Sequence, residues 1–360
     1  MVYTEYDPLE EVIVADSYVG GDLDHLFPNE NLSQFNQILD ETKEDFDKLA
    51  DFLKAGSVTV KRPDVYHYDG HIAMPGFDVK FPMGPTVPRD QYKVAGKTIV
   101  QTYTSLTDRY FDGLSYYNIF SDMFDEGYNW ISQAAPPLVP VTPSDIWYMP
   151  GQDPETNIYH SKLKDRVLFH TATKFPVGDK IITAADGPGN TKGYKWLKRN
   201  LPEFEFIENI GGHSENYGHI DHGFLMIDDE TIIHAGIDWV PVALRHLKLI
   251  DAEEFVPVPK TKEYKTNFIN KGGRYELDWV ENYLGNWTGY NQDCCFDLNV
   301  LVVDRNNLIF GREVPDLFKF LKTHGIDCHV CDQRHMLFWE GGIHCSTLDT
   351  KRRGSKRSII

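Results

Sequence analysis

Along this chain one pattern recurs: apolar residues spaced three and four apart, a glycine or short break, then a β-rich run. Phe35, Ile38, Leu39, Phe46, Leu49 and Leu53 fall on one helical face, which stops at Gly56 and gives way to Val58-Thr59-Val60. A second copy runs from about Tyr116 to Glu126, stops at Gly127 and continues as Tyr128-Asn129-Trp130-Ile131. The third, Gly193 to Leu201, leads into Phe204-Glu205-Phe206-Ile207. The fourth, Pro315 to His324, stops at Gly325 and continues as Ile326-Asp327-Cys328-His329-Val330. Glycine just past the last helical residue predicts a C-cap. Another β-rich stretch precedes each unit: Glu11–Val14, Thr98–Val100, Lys180–Thr183 and Val300–Val303. Repeats of strand, helix and strand predict a pseudo-symmetric α/β assembly. With no linker and no shift in composition, one domain over 1–360 is expected, ending in a basic tail, 351–360, that frays.

The totals change this picture little. The 360 residues are 41% hydrophobic and 25% charged, an ordinary globular balance. Aromatic residues reach 13%, which suits a sheet-rich chain with rigid pocket walls. The net charge of −18 would repel phosphates, so no nucleic acid is expected. No apolar run is long enough for a membrane span, and Met1-Val2-Tyr3-Thr4-Glu5 does not read as a signal peptide. With five cysteines, this points to free thiols in a cytoplasmic setting.

Two segments carry candidate chemistry. In Gly341-Gly342-Ile343-His344-Cys345 a thiol follows two glycines, which let the backbone bend or approach a ligand. A thiol on such a turn is a candidate nucleophile, and a small buried hydrophobe is the bland alternative. In His219-Ile220-Asp221-His222 the density of ligands suggests a metal. Read as a strand over His219–Ile227, however, it puts His219 and Asp221 on one face and His222 on the other. No metal and no cofactor are therefore expected, and His219 beside Asp221 suits acid–base work. Cys328-His329-Val330-Cys331 falls in a strand with its thiols on opposite faces, and it reads as structural, as does Cys294-Cys295. Pro88-Arg89-Asp90 reads as a salt-bridged turn.

Taken together, these segments resemble the amidinotransferase family, which includes the glycine and inosamine-phosphate amidinotransferases. The likeness runs through Glu5-Tyr6-Asp7-Pro8, Pro88-Arg89-Asp90, Tyr110-Phe111, Trp130, Ala135-Pro136-Pro137-Leu138, His219-Ile220-Asp221, Asn299-Val300-Leu301, Glu313-Val314-Pro315, Gly341–Cys345 and Arg352-Arg353-Gly354. It implies the pentein fold, five ββαβ-type modules around a central active-site channel, of which four copies are legible above. It implies an enzyme that moves an amidino group from arginine to an amine through a covalent, thioester-like adduct on Cys345. Asp90 and Asp221 would hold the guanidinium, whose planar fork of donors calls for carboxylates. His219 would protonate the departing amine and deprotonate the incoming one. Cys345 would then ionise mainly with the substrate cation present, and His344 becomes a neighbour rather than the base. The implied partners are small molecules, with a homodimer left open.

Two departures from the family pattern qualify that picture. In Phe169-His170-Thr171-Ala172-Thr173-Lys174-Phe175, Thr171 stands where an aspartate supporting the histidine is expected, and Lys174 where a second acid is. A hydroxyl cannot stabilise an imidazolium as a carboxylate does. Either another acid such as Glu215 substitutes, or the chemistry has changed. Near Ile237-Asp238-Trp239-Val240 no arginine is present before Arg245, so glycine is not the expected acceptor, and Asp238 points to an amine or polyamine. A guanidine-modifying hydrolase and a non-enzymatic binding protein of the same fold are the alternatives.

Overall fold

Apolar spacing does produce the expected helices in the computed structural model, which describes residues 1–26, 32–68, 70, 72–79, 82–104, 109–136, 166–184, 191–209, 219–256, 297–339 and 341–359. Strand β1 (Leu9–Val14) is followed by helix α1 (Leu32–Ala55), which buries Phe35, Ile38, Leu39, Phe46, Leu49 and Leu53, and then by β2 (Thr59–Lys61). A small hairpin, β3 (Ile72–Met74) and β4 (Phe77–Val79), comes next. The second module is β5 (Tyr92–Ala95), β6 (Thr98–Gln101), α2 (Tyr117–Asp125) and β7 (Asn129–Ser132). The third is β8 (Lys174–Val177), β9 (Lys180–Ala184), α3 (Thr191–Asn200) and β10 (Glu205–Asn209). The fourth holds β11 (Phe224–Met226), β12 (Thr231–His234) and β13 (Lys248–Asp251). The fifth is β14 (Leu301–Asp304), β15 (Asn307–Phe310), α4 (Pro315–Thr323) and β16 (Asp327–Val330). After a short helix α5 (Met336–Trp339) comes β17 (Thr347–Arg352).

Each module is a three-stranded sheet built the same way. A central strand has an antiparallel partner on one side and a parallel partner, reached by the crossover, on the other. In the first module the antiparallel partner comes from the far end of the chain: β17 pairs with β1, and β1 with β2, which closes the ring. The pentein fold is thus present, with five modules of one sheet topology, four of which carry a crossover helix.

Three crossover helices end alike. After α2 the Gly127 N–H bonds to the carbonyl of Phe124 and the Tyr128 N–H to that of Met123. After α4, Gly325 and Ile326 bond back to Lys322 and Leu321 in the same way. These are Schellman caps with a left-handed glycine, φ 84° and 78°. After α1, Ser57 and Val58 bond back to Lys54 and Leu53, so the left-handed residue is Ser57 (φ 65°), one position past the expected Gly56.

The fourth module explains why only four copies were legible. Between β12 and β13 the chain makes two short 3-10 turns, Ile237–Trp239 and Val242–Leu244, in place of a helix. Pro241 lies between them, and no three-to-four spacing of apolar residues can develop over so short a run. The fully buried Trp239 fills the core where a crossover helix would pack. In the basic tail Arg357 pairs with Asp7 and Asp229, and Arg353 with Glu10.

Candidate active site

The turn that precedes the antiparallel strand of each module points to a common centre. Asp90 ends the 3-10 turn Pro88–Asp90 before β5, where Pro88 pre-sets the backbone for the turn. His170 precedes the 3-10 turn Thr171–Thr173 before β8. His219 precedes the 3-10 turn Ile220–His222 before β11. Asn299 lies before β14, and Cys345 before β17. The strand expected over His219–Ile227 therefore begins only at Phe224, and the alternation read from it does not apply.

Cys345 is buried and its loop is tightly held. Its N–H donates to Asn299 Oδ1 at 3.0 Å, and Asn299 Nδ2 donates to Asp221 Oδ2 at 2.9 Å. A Cβ on Gly341 would lie 2.7 Å from Cys345 Cβ, and one on Gly342 2.8 Å from the Asn299 carbonyl oxygen. Close approach, not an unusual φ, is what demands the two glycines. Beneath the loop, Arg89 Nε donates to the carbonyls of His344 and Thr347 at 2.7 and 3.0 Å. The Arg89 guanidinium also reaches Glu5 Oε1 at 2.9 Å and Asp349 Oδ1 at 3.3 Å, and Lys93 donates to Glu5 at 2.5 Å. His344 bridges Asp221 Oδ2 (2.6 Å) and Glu5 Oε2 (3.0 Å) from its two ring nitrogens.

The two aspartates act on the thiol, and neighbouring histidines and Arg109 act on the aspartates. Cys345 Sγ lies 3.7 Å from Asp221 Oδ2. Burial raises the Cys345 thiol well above its ordinary value, and the charges of Asp221 and Asp90 raise it further. Burial also pushes the Asp221 carboxyl up, but the hydrogen bond and charge of His344 outweigh it and hold the group well below the usual range. Asp90 behaves likewise: burial is outweighed by the charges of His219 and Arg109. Arg109 Nη1 donates to Asp90 Oδ2 at 2.5 Å, and its Nε to Asp112 at 3.2 Å. One oxygen of each aspartate, Asp90 Oδ1 and Asp221 Oδ1, is buried with no hydrogen-bond partner among the described residues.

His219 sits between two groups. Its Nδ1 is 3.5 Å from Asp90 Oδ1, and its Nε2 is 3.2 Å from His170 Nδ1. The residue facing it from the third module is thus His170, one position before Thr171. Thr171 turns away, and its hydroxyl donates to the backbone carbonyls of Arg89 (2.5 Å) and Tyr92 (2.9 Å). Lys174 is buried at the start of β8, with its ammonium on the Thr173 hydroxyl. Asp238 lies on the surface, 4.0 Å from Arg245. Glu215, Cys294 and Cys295 lie outside the described residues. Cys328 packs on one core cluster and Cys331 on another, so their thiols do face opposite ways.

Sequence reasoning missed Glu5, Arg109, His170 and the bridging role of His344. Each is an ordinary polar residue in its own segment, and only the ring closure brings them together. Glu5, Arg89 and Asn299 stand in segments that carry the resemblance, which gives them no role.

No protein-family model matches the chain. It is similar to inosamine-phosphate amidinotransferase 1 of Streptomyces glaucescens, 24% identical over 98% of this chain and 97% of the relative. It is also 24% identical to L-arginine:L-lysine amidinotransferase of Pseudomonas savastanoi pv. phaseolicola, over 99% of this chain and 96% of that one. The solved inosamine-phosphate amidinotransferase of Streptomyces griseus superposes with a TM-score of 0.75 at 22% identity, covering 99% of this chain and 98% of that one. The resemblance to amidinotransferases therefore holds from end to end. Among the described residues, no helix is long and apolar enough to cross a membrane.

Proposed function

We propose that this chain transfers an amidino group from arginine to an amine other than glycine, through a covalent adduct on Cys345. The observation that carries the reading is a pair of unpartnered, buried carboxylate oxygens: Asp90 Oδ1, 3.5 Å from His219 Nδ1, and Asp221 Oδ1, on the carboxylate whose other oxygen lies 3.7 Å from the thiol. A buried acceptor without a donor is costly, and a guanidinium supplies planar N–H donors together with the compensating charge.

The steps follow from the charges. In the empty site burial, with the charges of Asp221 and Asp90, holds the proton on Cys345. The guanidinium cation offsets them, and Cys345 gives its proton to solvent to become the thiolate. Cys345 Sγ then attacks the guanidinium carbon and the S–C bond forms. The bond from that carbon to the substrate's chain nitrogen breaks as His219 gives that nitrogen a proton, releasing an amine. In the second half His219 takes a proton from the acceptor amine, whose nitrogen attacks the amidino carbon, and Cys345 leaves as thiolate. An imidazolium at His219 can donate Nε2–H to His170 and direct Nδ1–H toward Asp90, so Asp90 takes on the support expected from the third module.

The lack of an arginine between Asp221 and Arg245 in the sequence supports an acceptor other than glycine. Arg245 itself donates to the Val240 carbonyl at 3.0 Å, on its own segment. The Pseudomonas relative is named for lysine, an amine acceptor of this kind.

Intact-mass spectrometry of the protein with arginine tests the reading. An amidino adduct that is absent in Cys345→Ser and discharged by one member of an amine panel is the expected result. An adduct discharged equally by water, with no amine present, would mean a hydrolase. A stable arginine complex without any adduct would mean a binding protein.

A further inference from the structure

We propose that His219, Asp221, His222 and Cys345 form a binding site for a thiophilic divalent cation such as Zn²⁺, a site that goes beyond amidino transfer. The strand expected here would have sent His222 to the opposite face. The chain instead makes a 3-10 turn over Ile220–His222. Three residues per turn bring positions i and i+3 into line, so His219 and His222 stand side by side with ring centroids 5.7 Å apart. Asp221 lies 3.7 Å from the thiol by one oxygen and 4.0 Å from His222 Nε2 by the other. One ligand atom from each of the four residues lies within 4.8 Å of the other three, and all four residues are among the more buried of the chain.

Separations and ligand chemistry suit such an ion. Tetrahedral zinc with bonds of about 2.0–2.3 Å sets its ligand atoms roughly 3.3–3.6 Å apart. Cys345 Sγ lies 3.7 Å from one oxygen of Asp221 and His222 Nε2 lies 4.0 Å from the other, and the four ligand atoms lie within 4.8 Å of one another, wider than the ion would draw them. One thiolate and two imidazoles select zinc-like ions over magnesium or calcium. With the thiolate and Asp221 each carrying a negative charge, the site balances a dication. On binding, the Cys345 thiol gives its proton to solvent and an S–metal bond forms. The supporting shell is in place: Asn299 and His344 hold Asp221, and the ring nitrogen that His219 does not give the metal still faces Asp90 or His170. An ion held there occupies the nucleophile and one guanidinium carboxylate together, so it would shut the site reversibly and shield the thiol.

Titration of metal-free protein with Co²⁺, in the absence of arginine, tests this. The expected result is a one-to-one complex with a thiolate-to-cobalt charge-transfer band and d–d bands of tetrahedral intensity, displaced by Zn²⁺. Cys345→Ser should lose the charge-transfer band. His222→Ala should weaken Co²⁺ binding by about tenfold or more, with His222→Asn as a second variant and circular dichroism to establish that each is folded. Absence of the band in the wild-type protein, or an unchanged affinity in a folded His222 variant, overturns the proposal. The readout involves no arginine, so it fails or succeeds separately from the transferase reading.

Discussion

His170 Nδ1 lies 3.2 Å from His219 Nε2, both rings buried, at the point where a carboxylate was expected to support the acid–base histidine. Only one of two such nitrogens can carry the hydrogen between them, and two cations there would repel. His170 can accept from His219 but cannot offset an imidazolium. His170→Asp would place a carboxylate beside His219 and stabilise its charged form. In adduct formation from arginine, where His219 must hold a proton, this variant should react roughly several-fold faster on the alkaline side of neutrality. Single-turnover release of the product amine measures this, and a rate no faster than the wild type's would count against His219 in the acid role.

Asp90 acts on the thiol as well as on the histidine. It is one of the charges that raise Cys345 in the empty site. In Asp90→Asn the thiolate becomes easier to form, so a small alkylating reagent should modify Cys345 roughly several-fold faster near neutral pH than in the wild-type protein. Adduct formation from arginine should fall in the same variant, because a cation-holding oxygen is lost. Parallel mass measurements separate the two effects, and slower alkylation would mean that Asp90 does not govern the thiol.

Legibility in the sequence tracked the range of the signal. Phe35 to Leu53 carry their helix in local spacing, and the glycines at 127 and 325 carry its end, so four modules could be seen. The fourth module could not, because its crossover is two 3-10 turns around Pro241 with Trp239 as the core plug. The same kind of turn misled the reading of His219 to His222, where the histidines and aspartate looked like strand residues. Cys345, His219, Asp90 and Asp221 were all nominated and do converge. The network that orders them was not, since Glu5, Arg89 and His344 meet only when β17 pairs with β1. Thr171 and His170 are neighbours in sequence, and only the direction of their side chains separates them: His170 faces His219, and Thr171 faces the carbonyls of Arg89 and Tyr92.

Asn299 ties the nucleophile's backbone to Asp221 with one side-chain amide. Asn299→Ala leaves a buried N–H and a buried carboxylate oxygen each short of a bond. Unfolding stability should drop by about 1–3 kcal/mol in urea titration. Adduct formation should slow by more than the small fraction unfolded accounts for. Asn299→Asp, which keeps the acceptor but adds charge beside Asp221, should raise the thiol further and slow the reaction as well.

Gly223 is required by contact alone. Its φ of −141° is open to any residue, but a Cβ there would lie 2.2 Å from Trp239 Cδ2. Gly223→Ala must displace the tryptophan that replaces a helix in the fourth module. A cost of about 1–3 kcal/mol is expected, with a lower melting temperature and altered tryptophan fluorescence. Gly223→Ala with wild-type stability would mean that this part of the core can readjust without loss.

The two aspartates also tie stability to pH. Each is held well below its ordinary value of 3.8 in the folded protein, Asp90 chiefly by His219 and Arg109 against the cost of burial, and Asp221 chiefly by His344. Because the folded values are depressed, their contribution is fully present above the ordinary aspartate range and is lost as pH falls through and below it. Each group should add about 1.4 kcal/mol per pH unit to the slope of unfolding free energy in that acid window. Urea unfolding measured in steps from pH 5 downward should therefore show a shallower slope in Asp221→Asn than in the wild-type protein, whatever its absolute stability. Equal slopes would mean that His344 does not hold Asp221 ionised, and the charge balance assigned to the site would fall with it.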